Sequence, residues 1–108
     1  MRKFNHVGYP TAEKIEGMYF KESKVTITDS TRHPYNIEKL HYDDDSTEPS
    51  IIKSVPHIAF EVDNIYEEIK NKKILVEPLK TKMEDNRAII LAFIEEENIP
   101  VEFIQFLD

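Results

Sequence analysis

Two histidines and two glutamates recur in matching surroundings along this chain of 108 residues. His6 and His57 are each followed by a branched apolar residue, a very small residue and an aromatic residue. Glu38 and Glu102 each follow an apolar residue, and each is followed by an apolar residue at the second position and an aromatic residue at the fourth. Two imidazoles and two carboxylates form a donor set that suits Zn²⁺, Ni²⁺, Co²⁺, Mn²⁺ or Fe²⁺. The pattern predicts a divalent metal site with His6, Glu38, His57 and Glu102 as ligands.

Strand geometry is what would bring these four side chains together. The segments around them are rich in Val, Ile, Phe and Tyr with an alternation of period two, which favours strands. Successive side chains of a strand point to opposite faces, so His57 shares a face with Ala59, and Glu102 shares one with Ile104. If the two halves pair about a pseudo-twofold axis, the sheet curls around a cavity that holds all four polar groups. Gly8 and Ala59 would leave room there for a ligand.

A plainer interpretation applies to each residue taken singly. A histidine in a strand is more often a hydrogen-bonded structural residue than a ligand, and a glutamate near a strand end is usually solvated. The recurrence of both residue types in both halves favours the metal site. His33, His41 and the loop Asp43–Ser46 are interpreted as surface features, because the loop lacks the glycine and the spacing of a calcium site.

Composition narrows the class of protein and its partners. Hydrophobic residues make up 40% and charged residues 32% of the chain, and its length fits a single domain spanning residues 1–108. A net charge of −7 excludes nucleic acid and anionic membranes as partners. The absence of cysteine excludes a disulfide framework, a thiolate nucleophile and a cysteine-ligated zinc. No signal peptide and no apolar run of roughly 20 residues is found, so we expect a cytoplasmic location.

One segment has the pattern of a clear helix, from about Asn64 to Lys72. Asp63 or Asn64 can cap it, and Ile65 and Ile69 lie on one face. No comparable helix is expected in the first half, so the halves differ by one helix. Besides the four marked segments, strands are expected at Met18–Lys21, Lys24–Thr28, Ile74–Glu77 and Arg87–Ile94, with a hairpin turn at Glu95–Asn98.

The back of the first half carries a mixed row of side chains. Opposite Glu38 this row consists of Ile37, Lys39 and His41, which suits water better than a packed helix. The sequence therefore predicts that this part of the sheet is open or is covered by a partner chain.

The sequence resembles the vicinal-oxygen-chelate superfamily, which includes glyoxalase I, bleomycin-resistance proteins and extradiol dioxygenases. The resemblance is clearest in Pro56–Asp63 and in Val101–Ile104, and in the first half it is limited to His6 and Ile37–Glu38. It implies an α+β fold of two βαβββ modules that form a cupped mixed sheet, here with a first module that lacks its helix. In glyoxalase I the ligands come from the first and fourth strands of each module. By motif position these ligands fall on His6, Glu38, His57 and Glu102.

The resemblance, together with the polar quartet, predicts a metal-dependent enzyme of isomerase or lyase type. Four protein ligands leave an octahedral ion two open positions, which a small substrate with adjacent oxygens would occupy. Glu102 or Glu38 would act as general base, and the sequence does not decide between them. No glutathione-binding pattern is found, which argues against glyoxalase I activity itself.

Two further interpretations remain open at the level of the sequence. The missing helix favours a non-catalytic protein of the bleomycin-resistance kind, in which the cup binds a small molecule. The open back of the first half favours a dimer-forming regulatory domain. Because the superfamily commonly pairs its modules between chains, the resemblance implies a homodimer in either case.

Overall fold

The computed structural model describes residues 1–107, which form an α+β fold around one curled, mixed sheet of eight strands. The helical segments are a 3-10 turn at Ser30–Arg32 and the α-helices α1 (Ser50–Ser54) and α2 (Ile65–Glu68). Among these residues, no helix is long and apolar enough to cross a bilayer. The strands are β1 (Lys3–Pro10), β2 (Met18–Phe20), β3 (Val25–Ile27), β4 (Ile37–Tyr42), β5 (His57–Glu61), β6 (Lys73–Lys82), β7 (Ala88–Glu96) and β8 (Ile99–Phe106).

The two halves of the chain contribute four neighbouring strands each. Their orders across the sheet are β2-β3-β4-β1 and β5-β8-β7-β6, so β1 and β5 meet at the centre. In each half the first strand pairs parallel with the fourth, and the other neighbours pair antiparallel. β1 and β5 join the halves in antiparallel register. The repeated order confirms the predicted pair of modules and places the first and fourth strand of each module side by side.

The modules differ by one helix, as predicted. Helix α2 lies between β5 and β6, whereas the chain between β1 and β2 forms no α-helix. The Asn64 side chain accepts a hydrogen bond from the Tyr66 N–H and so caps α2. Ile65 and Ile69 are buried in a cluster with Phe103 on the back of the second module. Burial of these side chains holds α2 against β7 and β8.

The front of the second module carries a different set of side chains. Ala59, Met83, Ile89 and Ile104 form a buried cluster there. Glu102 and Ile104 therefore lie on the front of β8, while Phe103 packs against α2 on the back. The predicted alternation along this strand is confirmed, and it directs the Glu102 carboxylate into the concave side of the sheet.

Helix boundaries depart from the sequence prediction. Helix α2 ends at Glu68, four residues before the predicted end, and α1 was not expected at all. Helix α1 has only five residues, too few to show a helical period, and it is anchored by Ile52, which is 2% exposed. The predicted hairpin turn is present, and Glu97 and Asn98 have the positive φ angles of a two-residue connection.

Strand β6 also extends further than predicted. It continues to Lys82 through Pro78, although a proline has no N–H to donate. β6 is an edge strand, and its pairing with β7 shifts register between Val76 and Leu79, around the proline. A strand tolerates proline at an edge position or at a bulge, and Pro78 has both. The predicted strand therefore ended too early, at Glu77.

The back of the first module is only partly covered within the described chain. Lys39 is exposed, while Ile37 and His41 are half-buried. His41 is not fully directed to solvent as expected, because its Nδ1 lies 3.1 Å from the carbonyl oxygen of Thr11. Cover by a partner chain stays a prediction for this face.

Candidate metal centre

The four polar side chains predicted as ligands converge at the centre of the concave face. His6 lies on β1, Glu38 on β4, His57 on β5 and Glu102 on β8, which are adjacent in the order β4-β1-β5-β8. All four are buried, with exposures between 2% and 7%. We call these four residues the quartet. Burial of four polar groups is expensive unless they satisfy one another or bind a common partner.

Both carboxylates of the quartet lie close to the two imidazole Nε2 atoms. His6 Nε2 lies 3.1 Å from Glu38 Oε1 and 3.3 Å from Glu102 Oε1. His57 Nε2 lies 3.8 Å from Glu38 Oε1 and 3.2 Å from Glu102 Oε1, and the two Nε2 atoms are 3.3 Å apart. Ligands held at about 2.0–2.1 Å from one Zn²⁺ lie about 3.3 Å apart in a tetrahedron and about 3 Å apart at the corners of an octahedron.

His6, Glu38 and His57 therefore form a buried group whose chemistry and spacing suit a divalent ion. His6, Glu38 and His57 offer donor atoms that all lie within 4.8 Å of one another. Glu102 adds a carboxylate oxygen near both imidazoles. His6, Glu38 and His57 could hold an ion at this point, and Glu102 as a fourth ligand stays a prediction.

A second layer of contacts orients the His6 ring. Its Nδ1 lies 2.7 Å from Asn5 Oδ1, and Asn5 Nδ2 in turn donates to Glu61 Oε2 at 3.3 Å. The amide oxygen can only accept, so His6 carries a proton on Nδ1 and presents Nε2 to the centre. Such an acceptor behind the ring is the usual partner of a metal-bound histidine.

The bulge in β1 explains how Asn5 reaches that position. The pairing of β1 with β5 shifts register between Phe4 and His6, so Asn5 has no opposite residue. A bulged residue is freed from the strict alternation of the strand, and bulges near active sites re-aim side chains in this way.

His57 is oriented by packing rather than by a hydrogen bond. Its ring lies edge-on to Phe93, with centroids 5.2 Å apart, and perpendicular to the His6 ring. Its Nδ1 is buried and has no hydrogen-bond partner among the described residues. The Nε2 atom is thus the only ring nitrogen of His57 that faces polar groups.

Gly8 makes room for the His57 ring. The two residues are opposite each other in the β1 and β5 pairing, and a Cβ atom on Gly8 would lie 2.7 Å from His57 Nε2 and 3.0 Å from Leu40 Cδ1. The sequence suggested that Gly8 leaves space for a ligand. The structure gives it a different role, because the space is taken by the imidazole itself.

Electrostatics within the quartet keep the Glu102 carboxylate ionised and the His6 imidazole protonated. Burial opposes charge on His6, but hydrogen bonds and charge attraction from Glu102 and Glu38 outweigh it and raise the pKa of His6 to about 10. Burial likewise opposes charge on Glu102, yet His57 and His6 lower the pKa of its carboxyl to about 2. A proton on His6 thus competes with a metal ion for the same nitrogen.

The quartet opens into a cavity of about 480 Å³. Its walls are mostly apolar and include Leu40, Leu91 and Phe93, while Tyr42 adds a hydroxyl. Burial and the nearby carboxylates of Glu48, Glu102 and Glu38 raise the pKa of Tyr42 above its usual value, so the hydroxyl stays protonated. This volume accommodates a small organic ligand beside the quartet.

Sequence reasoning missed three polar residues near the quartet. Tyr42 could have been found, since it follows Leu40 at the spacing of a shared strand face. Asn5 is adjacent to His6, but only the bulge turns it toward the ring. Glu84 lies in the turn between β6 and β7 and carries no pattern that places it at the cavity. His33 and His41 do not line this cavity.

The curled sheet of two paired modules is the vicinal-oxygen-chelate fold. A hypothetical protein from Bacillus halodurans C-125 is similar, with a TM-score of 0.66 and 19% identity over 99% of this chain and 96% of that chain. Methylmalonyl-CoA epimerase from Mycobacterium tuberculosis is similar with a TM-score of 0.64 and 12% identity, covering 98% of this chain and 89% of that chain.

A third similar structure belongs to a longer protein. It is a mutant of 4-hydroxymandelate synthase from Streptomyces coelicolor, with a TM-score of 0.54 and 13% identity over 98% of this chain and 49% of that chain. No family model and no curated protein matches the sequence. At these identities the likeness concerns the fold alone.

Proposed function

We propose that this protein is a metal-dependent enzyme of isomerase or lyase type, acting on a small substrate that binds a divalent ion through adjacent oxygens. One observation carries the proposal: two Nε2 and two Oε1 atoms converge in a buried cluster at the floor of a mostly apolar cavity. The similarity of the fold to an epimerase and to a synthase is consistent with a catalytic use of the cup.

A cation explains the convergence better than hydrogen bonds do. A proton on His6 Nε2 can point at only one acceptor at a time, yet this nitrogen has Glu38, Glu102 and His57 Nε2 all within 3.3 Å. Two nitrogens and two carboxylate oxygens can bind a divalent ion together. The net charge of two carboxylates and two neutral imidazoles is −2, which a divalent ion neutralises.

Each member of the proposed site has a definite task. His6, Glu38, His57 and Glu102 would hold the ion, which supplies Lewis-acid stabilisation of negative charge on a bound oxygen. Glu38 or Glu102 would accept a proton from the ligand as general base. The apolar walls would seat the rest of the ligand and exclude water from it.

Calorimetric titration of the metal-free protein with Ni²⁺, Zn²⁺ and Mn²⁺ tests the proposal. We expect one ion per chain and a dissociation constant well below the millimolar range. Binding no tighter than millimolar for all three ions would end the metal proposal and leave a small-molecule-binding cup as the function.

The variant Glu102→Gln sharpens this test. It removes one anionic ligand while keeping the size of the side chain, so we expect at least about a tenfold loss of Zn²⁺ affinity. Glu97→Gln, in the exposed turn between β7 and β8, makes the same change of charge away from the site and should leave the affinity unchanged. Equal affinity of both variants would remove Glu102 from the ligand set.

A further inference from the structure

Glu84 is a carboxylate in the cavity wall that the quartet does not use. It lies in the turn between β6 and β7 and lines the same cavity as His6, Glu38 and Glu102. It also lines a second, smaller cavity of about 400 Å³, together with Asp29 and Arg32. Glu84 is half-buried, so part of it is accessible to solvent while it lines the cavity of the quartet.

Backbone hydrogen bonds hold the turn that carries Glu84. The Met83 N–H donates to the Arg87 carbonyl and the Asn86 N–H donates to the Met83 carbonyl, both at 2.9 Å. Met83 is 8% exposed and packs with Ile89 and its neighbours in the front cluster. The cation of the turn, Arg87, pairs with Asp85 at 2.7 Å instead of with Glu84.

The proposed chemistry requires a route for protons. A buried base that takes a proton from a ligand must lose it again before the next turnover, and the members of the quartet are at most 7% exposed. A half-buried carboxylate that lines the cavity of the quartet and a second cavity is placed to pass that proton on. We propose that Glu84 is the proton-relay residue that connects the quartet with solvent, an inference that rests on the proposed function.

The proton balance of this step is simple. The C–H bond next to a ligand carbonyl breaks, its electron pair moves into that carbonyl, and the proton goes to Glu38 or Glu102. The proton then moves to the Glu84 carboxylate and from there to water, which restores the base. The reverse sequence returns a proton to the same carbon, and no oxidant or reductant takes part.

The surroundings of Glu84 suit proton exchange near neutral pH. Burial raises the pKa of its carboxyl to about 7, with Glu38 adding to the shift and the imidazole of His6 opposing it. A relay works best when its pKa is close to the working pH, because it then both accepts and releases protons readily. The other charged groups that line the two cavities with it are Glu16, Glu22, Asp29, Arg32, Glu48, Lys80, Lys82 and Glu102.

Hydrogen exchange of a simple chelating probe tests the inference. The probe is 2-oxobutanoate, whose adjacent carboxylate and ketone oxygens can bind Zn²⁺, and NMR in D₂O follows deuterium entry at its third carbon. We expect the Zn²⁺-loaded protein to accelerate this exchange over free Zn²⁺, and Glu84→Gln to slow it at least tenfold. Glu22→Gln, an exposed glutamate on the rim of the same cavity, serves as the control and should stay within twofold.

Chemical rescue separates a relay from a structural role. Raising the concentration of a weakly coordinating buffer that titrates near neutral pH should restore exchange in Glu84→Gln and leave the wild type unchanged. The relay would be overturned if the exchange rate of Glu84→Gln did not fall, or if it fell and the buffer did not restore it. It would also be overturned if Glu22→Gln lost as much exchange rate, or if the wild type did not accelerate the exchange.

Two measurements without turnover complete the test. Zn²⁺ calorimetry should give the same affinity for the wild type and Glu84→Gln, which also shows that the variant is folded; a tenfold loss would make Glu84 a ligand and refute the relay. In the metal-free wild type, the carboxyl ¹³C signal of Glu84 should titrate near pH 7, and it is assigned by its absence from the spectrum of Glu84→Gln. A midpoint below about 5 would contradict the relay. If the wild type binds no metal, the proposed function itself fails.

Discussion

At the scale of residues, a proton and the proposed metal ion would compete for the same atom of the quartet. His6 Nε2 faces carboxylates on two sides, and their negative charge attracts either cation. In the metal-free protein that cation is a proton, and in the proposed holo protein it is a divalent ion. The same geometry thus makes the stability of the metal-free form depend on pH.

The sign of that dependence follows from the two pKa shifts. The pKa of His6 is raised from 6.5 to about 10, so its contribution is fully present below pH 6.5 and is lost as the pH rises to about 10. The pKa of Glu102 is lowered from 4.5 to about 2, so its contribution is present above pH 4.5 and is lost as the pH falls toward 2.

We therefore expect the metal-free protein to be most stable between about pH 4.5 and 6.5 and to lose stability toward pH 9. Urea unfolding in the presence of EDTA at pH 6 and pH 9 measures the difference in free energy of unfolding. Glu102→Gln is the comparison, and its stability should change less over this range because one partner of His6 has lost its charge. A metal-free wild type that gains stability between pH 6 and pH 9 would contradict the assignment of the proton to His6.

Asn5 supports the site from behind the His6 ring, so it provides a second prediction. Asn5→Ala removes the acceptor for the Nδ1 proton, and we expect Zn²⁺ affinity to fall by about 10–100-fold. Asn5→Asp keeps an acceptor at the same place and should retain the affinity of the wild type or exceed it. Calorimetry on both variants checks this, and equal affinity of Asn5→Ala and Asn5→Asp would show that the contact does not orient the ring.

At the scale of elements, the sheet brings distant residues together through a repeated order of strands. β1 and β5 meet at the centre, and β4 and β8 flank them, so each ligand strand touches another one. His57 lies opposite Gly8 in the pairing of β1 with β5, and its ring occupies the space that a Cβ atom on Gly8 would take. This register depends on a residue without a side chain.

Gly8→Ala tests that dependence. The added Cβ would lie 2.7 Å from His57 Nε2, so the ring or the strand must move. We expect a loss of about 1–3 kcal/mol in the free energy of unfolding, the usual range for overpacking. We also expect weaker Zn²⁺ binding, because the displaced atom is a proposed ligand.

Gly17→Ala provides the matched control for crowding. A Cβ at Gly17 would lie 2.8 Å from the carbonyl carbon of Ile27, and Gly17 does not line the cavity of the quartet, so the variant should lose stability and keep its Zn²⁺ affinity. Thermal unfolding and calorimetry at a temperature where both variants are folded distinguish the two effects. If the two variants lost affinity equally, the role of Gly8 in placing His57 would be refuted.

Much of this arrangement could be predicted from the sequence because it depends on alternation and on repetition. The common face of Glu102 and Ile104 follows from a period-two pattern and the missing helix from the lack of a helical one, whereas the fold class was implied by the resemblance to a known superfamily. Helix α1 could not be predicted, since five residues do not show a helical period. The end of β6 could not be predicted either, because Pro78 is not expected inside a strand. The positions of Asn5 and Glu84 depend on a bulge and on a turn, which local patterns do not define.

At the scale of the whole molecule, the quartet joins the two modules. His6 and Glu38 come from the first module, while His57 and Glu102 come from the second. One chain thus supplies all four groups, and the site needs no residue from a partner. The homodimer stays a prediction, and light scattering over a range of protein concentrations tests it. A monomer at all concentrations would contradict the homodimer.

An ion bound to both modules should stabilise the folded chain as a unit. An ion that binds only the folded state at 100 times its dissociation constant adds about 2.7 kcal/mol to the free energy of unfolding. For a domain of this size we expect the midpoint of thermal unfolding to rise by about 10–20 °C. Calorimetric scans with Zn²⁺, and again after EDTA, measure the shift and its reversal.

The variant His57→Ala makes this last prediction specific to the site. It leaves the first module with His6 and Glu38 but removes a nitrogen ligand of the second, so the ion can no longer bridge the modules fully. We expect most of the Zn²⁺-dependent shift in midpoint to disappear, whereas His33→Ala, outside the cavity, should keep it. If the Zn²⁺-dependent rise in the midpoint persisted in His57→Ala, Zn²⁺ would be stabilising the chain at a different site. The proposed site should bind Zn²⁺ more weakly after it loses one of its four ligands.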